Sequence, residues 1–297
     1  MDAADFANLL VSALLLAGIY AAMSVGMTIV YGVMKIVNLA HAGFLMLGAY
    51  FVLELYESWN VDPLAGSLLA FPVFLLAGML VHWLLVKRIP VSDQPTLASL
   101  LLMFGLWLVL QNIGYLVWGN SDRSILTTRT LSSLHVGPIT IPTVRLMVFI
   151  PAVCSLLLLE FVLRKTWYGR AVRALMQNRY AGRLAGIPVE KMARLTFGVG
   201  IGFAGAAGGL LAQLYSFSPD FGHGFLLRSF VIIVLGGLES FWGAAAGALV
   251  LALVETFSIL VLPAGYQPAI AFSLLVLALI LLPGGIAGIF AKKQRWA

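Results

Sequence analysis

The chain has 297 residues, of which 61% are hydrophobic and only 10% charged, with a mean hydropathy of +1.01 and a net charge of +6. Soluble domains carry roughly a quarter charged residues, so this composition excludes a water-facing globule. The apolar residues form runs near the ~20 residues with which a helix crosses a bilayer, not the short alternating segments of a barrel. The fold expected is all-α: one polytopic transmembrane helical domain, 1–297, with about eight or nine crossings, some of them short or broken.

The chain opens Met1-Asp2-Ala3-Ala4-Asp5, with no basic residue ahead of the first apolar run, and this run reads as a retained span rather than a cleaved leader. Spans are expected over residues 9–31, 42–56, 64–86 and 97–118, followed by a polar stretch, 119–142. A fifth span, 144–163, leads through a basic segment, 164–194, to a sixth, 195–217. A short apolar piece, 225–235, breaks at Gly236-Gly237-Leu238-Glu239, and spans over 242–262 and 268–282 follow.

With the first residues outside and every segment crossing, the inner side receives Lys87, Arg88, the basic segment, and Lys292, Lys293 and Arg295. The outer side receives Arg123, Arg129 and Arg145 together with Asp2, Asp5, Glu57, Asp62, Asp122 and Asp220. This is the positive-inside pattern, and it accounts for the net positive charge without a nucleic-acid partner. It requires 225–235 to cross; if that piece dips and returns, the last residues face outward. The single Cys154 lies in an apolar run, so no disulfide forms within the chain.

Two stretches share an apolar strip, a polar break and then a glycine-rich helix: 31–41 and 232–240. Paired interrupted spans are typical of transporters built from structural repeats, though two Gly-rich apolar stretches also coincide by chance. Small residues recur at fourfold spacing at Gly198 and Gly202, Gly205 and Gly209, and Gly243 and Gly247. Such spacing lets helices approach closely, by default within the chain.

No phosphate loop, His-Glu-x-x-His or Gly-x-Ser-x-Gly elbow is present, and His41, His82, His135 and His223 lack metal-ligand spacing. The sequence therefore suggests neither an enzyme nor a cofactor or metal site. Polar groups inside spans are costly, about 2.5–3.5 kcal/mol for a mid-bilayer charge on insertion scales, and so are candidates for a substrate pathway. They are Asn38, His41 and Lys35 at the first break, Gln111 with Asn112 late in the fourth span, Gln213 late in the sixth, and Glu255. The alternative is structural: Asn38 and His41 cap broken helix ends, and Glu255 pairs with a neighbour or stays protonated. Glu54 and Glu160 lie near the interfaces and read as solvated.

Residues 168–188 read YGRAVRALMQNRYAGRLAGIP. Val172, Leu175, Met176, Tyr180 and Leu184 fall on one side of a helix, Arg173 interrupts the stripe, and Gly186 with Pro188 is a helix stop. By amphipathicity alone this is a basic segment anchored to acidic lipid headgroups or a helix docking into a cytoplasmic partner.

This segment resembles the inner-face coupling region of the LivH-type permeases of branched-chain amino-acid ABC importers. Gly169, Arg170, Ala171, Arg173 and Ala174 match its Gly-Arg-Ala-x-Arg-Ala run, and Ala181, Gly186 and Ile187 match its Ala-x-x-x-Gly-Ile end. Residues 37–43, Val-Asn-Leu-Ala-His-Ala-Gly, and 234–238, Val-Leu-Gly-Gly-Leu, match in order and at the expected spacing across nearly the whole chain. Ala42 stands where the family usually has glycine, and Glu239 falls in a stretch that is often Gly-rich. The resemblance implies an inner-membrane permease for branched-chain or related amino acids. It also implies ATP-binding cassette ATPase subunits on the coupling segment, a second, paralogous permease subunit and an extracytoplasmic binding protein. Related machinery importing urea, short amides or other small solutes is the alternative within transport; an energy-independent channel is the alternative outside it.

Overall fold

A computed structural model describes residues 2–89, 95–127 and 132–294; Arg129 and Arg295 lie outside them. In chain order the helices are α1 (Ala3–Met34), α2 (His41–Trp59), α3 (Pro63–Leu84), α4 (Pro95–Trp118), α5 (Thr143–Lys165) and α6 (Trp167–Gln177). There follow α7 (Arg179–Leu184), α8 (Val189–Leu211), α9 (Phe221–Gly236), α10 (Phe241–Ser258), α11 (Gln267–Leu281) and α12 (Gly285–Gln294). The polar stretch 119–142 holds what the all-helical expectation lacked, an antiparallel hairpin of β1 (Ser133–Val136) and β2 (Ile139–Pro142). Among the described residues, α1, α3, α4, α5, α8, α10 and α11 are long and apolar enough to cross a membrane, and α9, with 16 residues, is a shorter apolar helix; α2, 19 residues long, follows the first break.

Contacts between distant residues define the two ends of the bundle. At one, the Thr140 N–H donates to Asn8 Oδ1 (2.8 Å), Trp118 Nε1 to Glu54 Oε1 (2.8 Å), and Arg123 and Phe217 exchange backbone hydrogen bonds of 2.8 Å. At the other, Lys87 pairs with Glu190 (2.8 Å) and Lys35 with Glu239. The basic segment 164–194 shares this second end, so the charge separation expected from the positive-inside pattern is present in three dimensions.

Helix α9 answers the parity question. Asp220, just before it, accepts hydrogen bonds from Gln111 Nε2 (2.5 Å) and Tyr115 Oη (2.6 Å) toward the outer end of α4. Its last residue, Gly236, abuts the Gly243 carbonyl beside Glu239 at the inner end. The piece therefore runs from one end of the bundle to the other rather than turning back, over about 24 Å for 16 residues at 1.5 Å each. Helix α2 behaves differently. His41, its first residue, bonds the Met23 carbonyl of α1 (3.0 Å), eleven residues before the Met34 end of that helix. Residues 35–40 thus climb back along α1 by about 16 Å, and α2 begins within the bundle.

Glycine-rich α8 is the hub, buried along most of its length against α1, α2 and α3. A Cβ on Gly48 or Gly208 would run into the carbonyl oxygen of Gly205 or Leu45, so α2 and α8 touch backbone to backbone. The fourfold glycines have the same use. Gly198 and Gly202 face the backbone of α3, Gly205 faces Phe74 of α3, Gly209 faces Val52 and Ser67, and Gly243 and Gly247 face the backbone of α9. Their role is packing within the chain.

Candidate functional site

Glu255 on α10 is a carboxylate buried inside the bundle, 2% exposed. Its carboxylate accepts from Tyr20 Oη of α1 (2.6 Å) and from Arg228 Nε of α9 (2.9 Å). Three helices thus meet on one carboxylate, about 21 Å from the inner end of α1 by the rise from Met34 to Tyr20. An ionised group buried this way needs a partner and further hydrogen bonds to offset its desolvation, and Glu255 has both. Pairing, one of the alternatives for Glu255, is what the structure contains. The sequence reading passed over Arg228, although a lone arginine inside the apolar piece 225–235 was the signal for it.

At the first break, Asn38 is 1% exposed, neither side-chain amide atom has a partner among the described residues, and its backbone carbonyl accepts from the His41 N–H at 3.3 Å. The N-cap of α2 is Ala40 with no side-chain cap, so the capping role weighed for Asn38 and His41 is corrected: neither side chain caps α2. The His41 ring instead donates from Nε2 to the Met23 carbonyl, and its buried Nδ1 has no partner among the described residues. Met23 lies three residues below Tyr20 on α1, so His41 and Glu255 attach to α1 at levels about 4.5 Å apart. Ser229, also buried and without a hydrogen-bond partner among the described residues, follows Arg228 on α9.

Gln111 and Gln213 stand apart from this centre. Gln111 bonds Asp220 near the outer end, while Asn112 bonds back to the Leu108 carbonyl (2.7 Å). Gln213 Nε2 faces the Pro63 carbonyl, Ser67 Oγ and the Gly209 carbonyl at 3.4, 3.3 and 3.1 Å, fastening the end of α8 to the start of α3. Glu54 is exposed, as expected, and also accepts from Trp118 Nε1. The expectation that Glu160 is solvated is corrected: its side chain is 14% exposed and binds Arg164 and Trp242 Nε1 (2.9 Å).

The basic segment forms two helices rather than one. Asn178 is extended (φ −157°, ψ 105°), ends α6, and caps α7 by accepting from the Ala181 N–H at 2.9 Å. The expected stripe is therefore split: Val172 and Leu175 are buried, but Tyr180 and Leu184 are 72% and 73% exposed. Thr166 caps α6 on the Gly169 N–H (3.2 Å), and Gly169 lies against the Leu163 carbonyl, where a Cβ would collide. Arg173, which interrupts the stripe, donates to that same carbonyl at the end of α5. Ala171 is buried, Ala174 partly so, and Arg170 and Ala181 are exposed. Gly186 adopts φ +80°, a left-handed conformation suited to glycine. Tyr168 Oη meets Thr196 Oγ1 of α8 (3.1 Å), and its burial raises the phenol pKa above the ordinary value. Met176 packs on Gly32, three residues before Lys35.

Residues 9–283 match the family described as the branched-chain amino acid transport system / permease component. The chain is 30% identical over 289 residues to the high-affinity branched-chain amino acid transport system permease protein LivH of Escherichia coli K12, with 91% of each chain covered. It is 27% identical over 290 residues to BraD of Pseudomonas aeruginosa PAO1, a permease protein of the same description, with 94% of each covered. LivM of Escherichia coli K12, also a permease protein of that transport system, is 27% identical over 271 residues, covering 78% of this chain and 60% of LivM. No solved structure matches. A family match along almost the whole of this multi-pass bundle makes the chain a membrane-spanning transport subunit, a member of the branched-chain amino acid permease family.

Proposed function

We propose that the chain is the permease subunit of an ATP-driven importer for branched-chain amino acids in the cytoplasmic membrane. It works beside a second, paralogous permease, with cassette ATPases on its inner face and an extracytoplasmic binding protein delivering cargo. The observation that carries this reading is the α6–α7 pair, placed at the Lys-rich and Arg-rich end of a family member's bundle. α7 is too small to fold on its own account, yet it exposes Tyr180 and Leu184 beside Arg179 and Arg183. Exposed aromatic and aliphatic side chains with a cationic rim suit a cleft on a soluble protein.

The same pair reaches the interior. Gly169 and Arg173 fix α6 on the end of α5, and Met176 rests on Gly32 of α1. A push on α7 is therefore passed to α1 just above the break at Lys35, and from α1 to Tyr20 and Glu255. Asn38, His41 and Glu255 lie along the cargo path in this reading, Gln111 marks its outer mouth, and Gly169, Arg170, Ala171, Arg173, Ala174, Ala181 and Gly186 form the coupling surface.

Placing one cysteine at Asn178 in a Cys154→Ser chain tests the arrangement. In intact cells a membrane-impermeant thiol reagent leaves Asn178→Cys unmodified, and permeabilised cells show full labelling. Labelling from outside would put α6–α7 on the wrong side for an ATPase and remove the importer reading.

A further inference from the structure

Arg228 and Glu255 form an ion pair inside the bundle, with side chains 15% and 2% exposed. Glu255 is fully engaged, one oxygen by Arg228 and the other by Tyr20. Arg228 is not. Among the described residues, beyond Glu255 it reaches only the Gly224 carbonyl (3.3 Å) and lies over the Phe225 ring at 5.3 Å, which leaves most of its N–H donors unused there. It also lines a narrow crevice of about 20 Å³ between α9 and α11. The other walls, Leu227, Val231, Pro268 and Phe272 among them, carry no charge. Pro268 and Gly224 lie near the first residues of α11 and α9, so the crevice belongs to the outward half of the bundle. One planar cation among aliphatic and aromatic walls is the composition expected of a pocket for a small apolar molecule with one anionic end.

We propose that Arg228 and Glu255 are the recognition pair for the α-carboxylate and α-ammonium of a zwitterionic amino acid. The proposal rests on the importer reading and names the chemistry of its cargo site. Without cargo, the two side chains neutralise each other. When α9 and α11 part, the cargo carboxylate takes the guanidinium and its ammonium takes the carboxylate, so one ion pair becomes two and no net charge is added to the bundle. Cargo bearing a single charge leaves one protein charge buried and unmatched, a large penalty in a low-dielectric interior, and uncharged urea or amides cannot separate the pair at all. Selection for a zwitterion follows from charge balance, and the apolar walls favour an aliphatic side chain. Tyr20 is a positioning residue that holds the second oxygen of Glu255.

Thermal unfolding of the full-length chain in nanodiscs tests this, because a ligand that binds the folded state raises its midpoint. L-Leucine is expected to stabilise the wild type. Leucinamide, which lacks the carboxylate, and 4-methylpentanoate, which lacks the ammonium, are expected to bind at least tenfold more weakly. Arg228→Met/Glu255→Met replaces the whole pair by apolar groups, which buried pairs commonly tolerate, and is expected to unfold cooperatively but ignore leucine. In Glu255→Gln the unmatched Arg228 is expected to bind 4-methylpentanoate at least tenfold more tightly than the wild type does, a change of preference that a structural role would not produce. An unaltered leucine response in the double variant, an unaltered preference in Glu255→Gln, or no leucine response in the wild type each overturns the pair. ATPase-dependent leucine uptake by cells separates the two readings: uptake that ignores Arg228 overturns only the pair, whereas its absence in the wild type removes the importer reading as well.

Discussion

Lys35 and Glu239 lie 204 residues apart and form an ion pair that joins the two places where the helical path is broken. Lys35 ends α1 in a left-handed conformation (φ 56°), its N–H on the Tyr31 carbonyl (2.7 Å), where a glycine would ordinarily stand. Glu239 follows Gly237, whose φ of +108° turns the chain from α9 into α10. Each side chain is 49% exposed, so the pair contributes only about 0–1 kcal/mol to stability. Its consequence is geometric: it ties α1 to the α9–α10 turn at the inner end, below Tyr20, Arg228 and Glu255.

A latch of this kind separates stability from transport. Lys35→Ala and Glu239→Ala are expected to unfold within about 1 kcal/mol of the wild type while lowering ATP-driven uptake severalfold. The exchange Lys35→Glu/Glu239→Lys restores the attraction and is expected to recover uptake. Uptake assays beside thermal unfolding of the same preparations check this; an exchange variant no better than the single ones would show that the pairing is not what matters.

Gly32 is where the coupling helix meets α1. A methyl group there falls on the Cε end of Met176, a flexible tip that yields cheaply. Gly32→Ala is therefore expected to fold and to bind its ATPase, but to pass movement poorly, so that ATP hydrolysis continues while uptake per ATP falls severalfold. Simultaneous measurement of both rates in proteoliposomes checks this, and an unchanged ratio counts against the α6-to-α1 route.

At Gly169 the obstacle is backbone. A Cβ would meet the Leu163 carbonyl, which Arg173 also uses and which cannot step aside. Gly169→Ala is expected to displace α6, costing about 1–3 kcal/mol by overpacking and abolishing co-purification of the ATPase, with membrane insertion intact. Co-purification at the wild-type level would show that α6 tolerates the shift.

How much of this was legible in the sequence depends on distance along the chain. Hydropathy located the long spans, because a bilayer-crossing helix declares itself within its own residues. The breaks at 35–40 and 237–240 also showed locally, through Lys35, Asn38 and the Gly236-Gly237 pair. What joins them did not, since an ion pair between residues 35 and 239 leaves no trace in either neighbourhood. Asn178 misled for a related reason: its apolar neighbours kept helical spacing across it, while its side chain was better used as a cap that stops one helix and starts another. Arg228 was visible as a charge in an apolar run, but only the fold supplies Glu255 as its partner.

Gln213 shows the converse, an intramembrane polar residue whose role in the fold is explicit. Amides are costly in a bilayer, which makes it a pathway candidate by sequence, yet its Nε2 faces the Gly209 carbonyl of α8 and two oxygens, of Pro63 and Ser67, that join it to the start of α3, near the outer end. Saturated in this way, the Nε2 donor has little capacity left for cargo. Gln213→Leu removes those bonds and is expected to lower stability by about 1–3 kcal/mol, seen as a lower unfolding midpoint, while the KM for uptake by the surviving protein stays within twofold. A raised KM with an unchanged midpoint would return Gln213 to the cargo path. It would also mean that the α3–α8 junction opens during transport, because only broken bonds to Pro63 and Ser67 could free that donor.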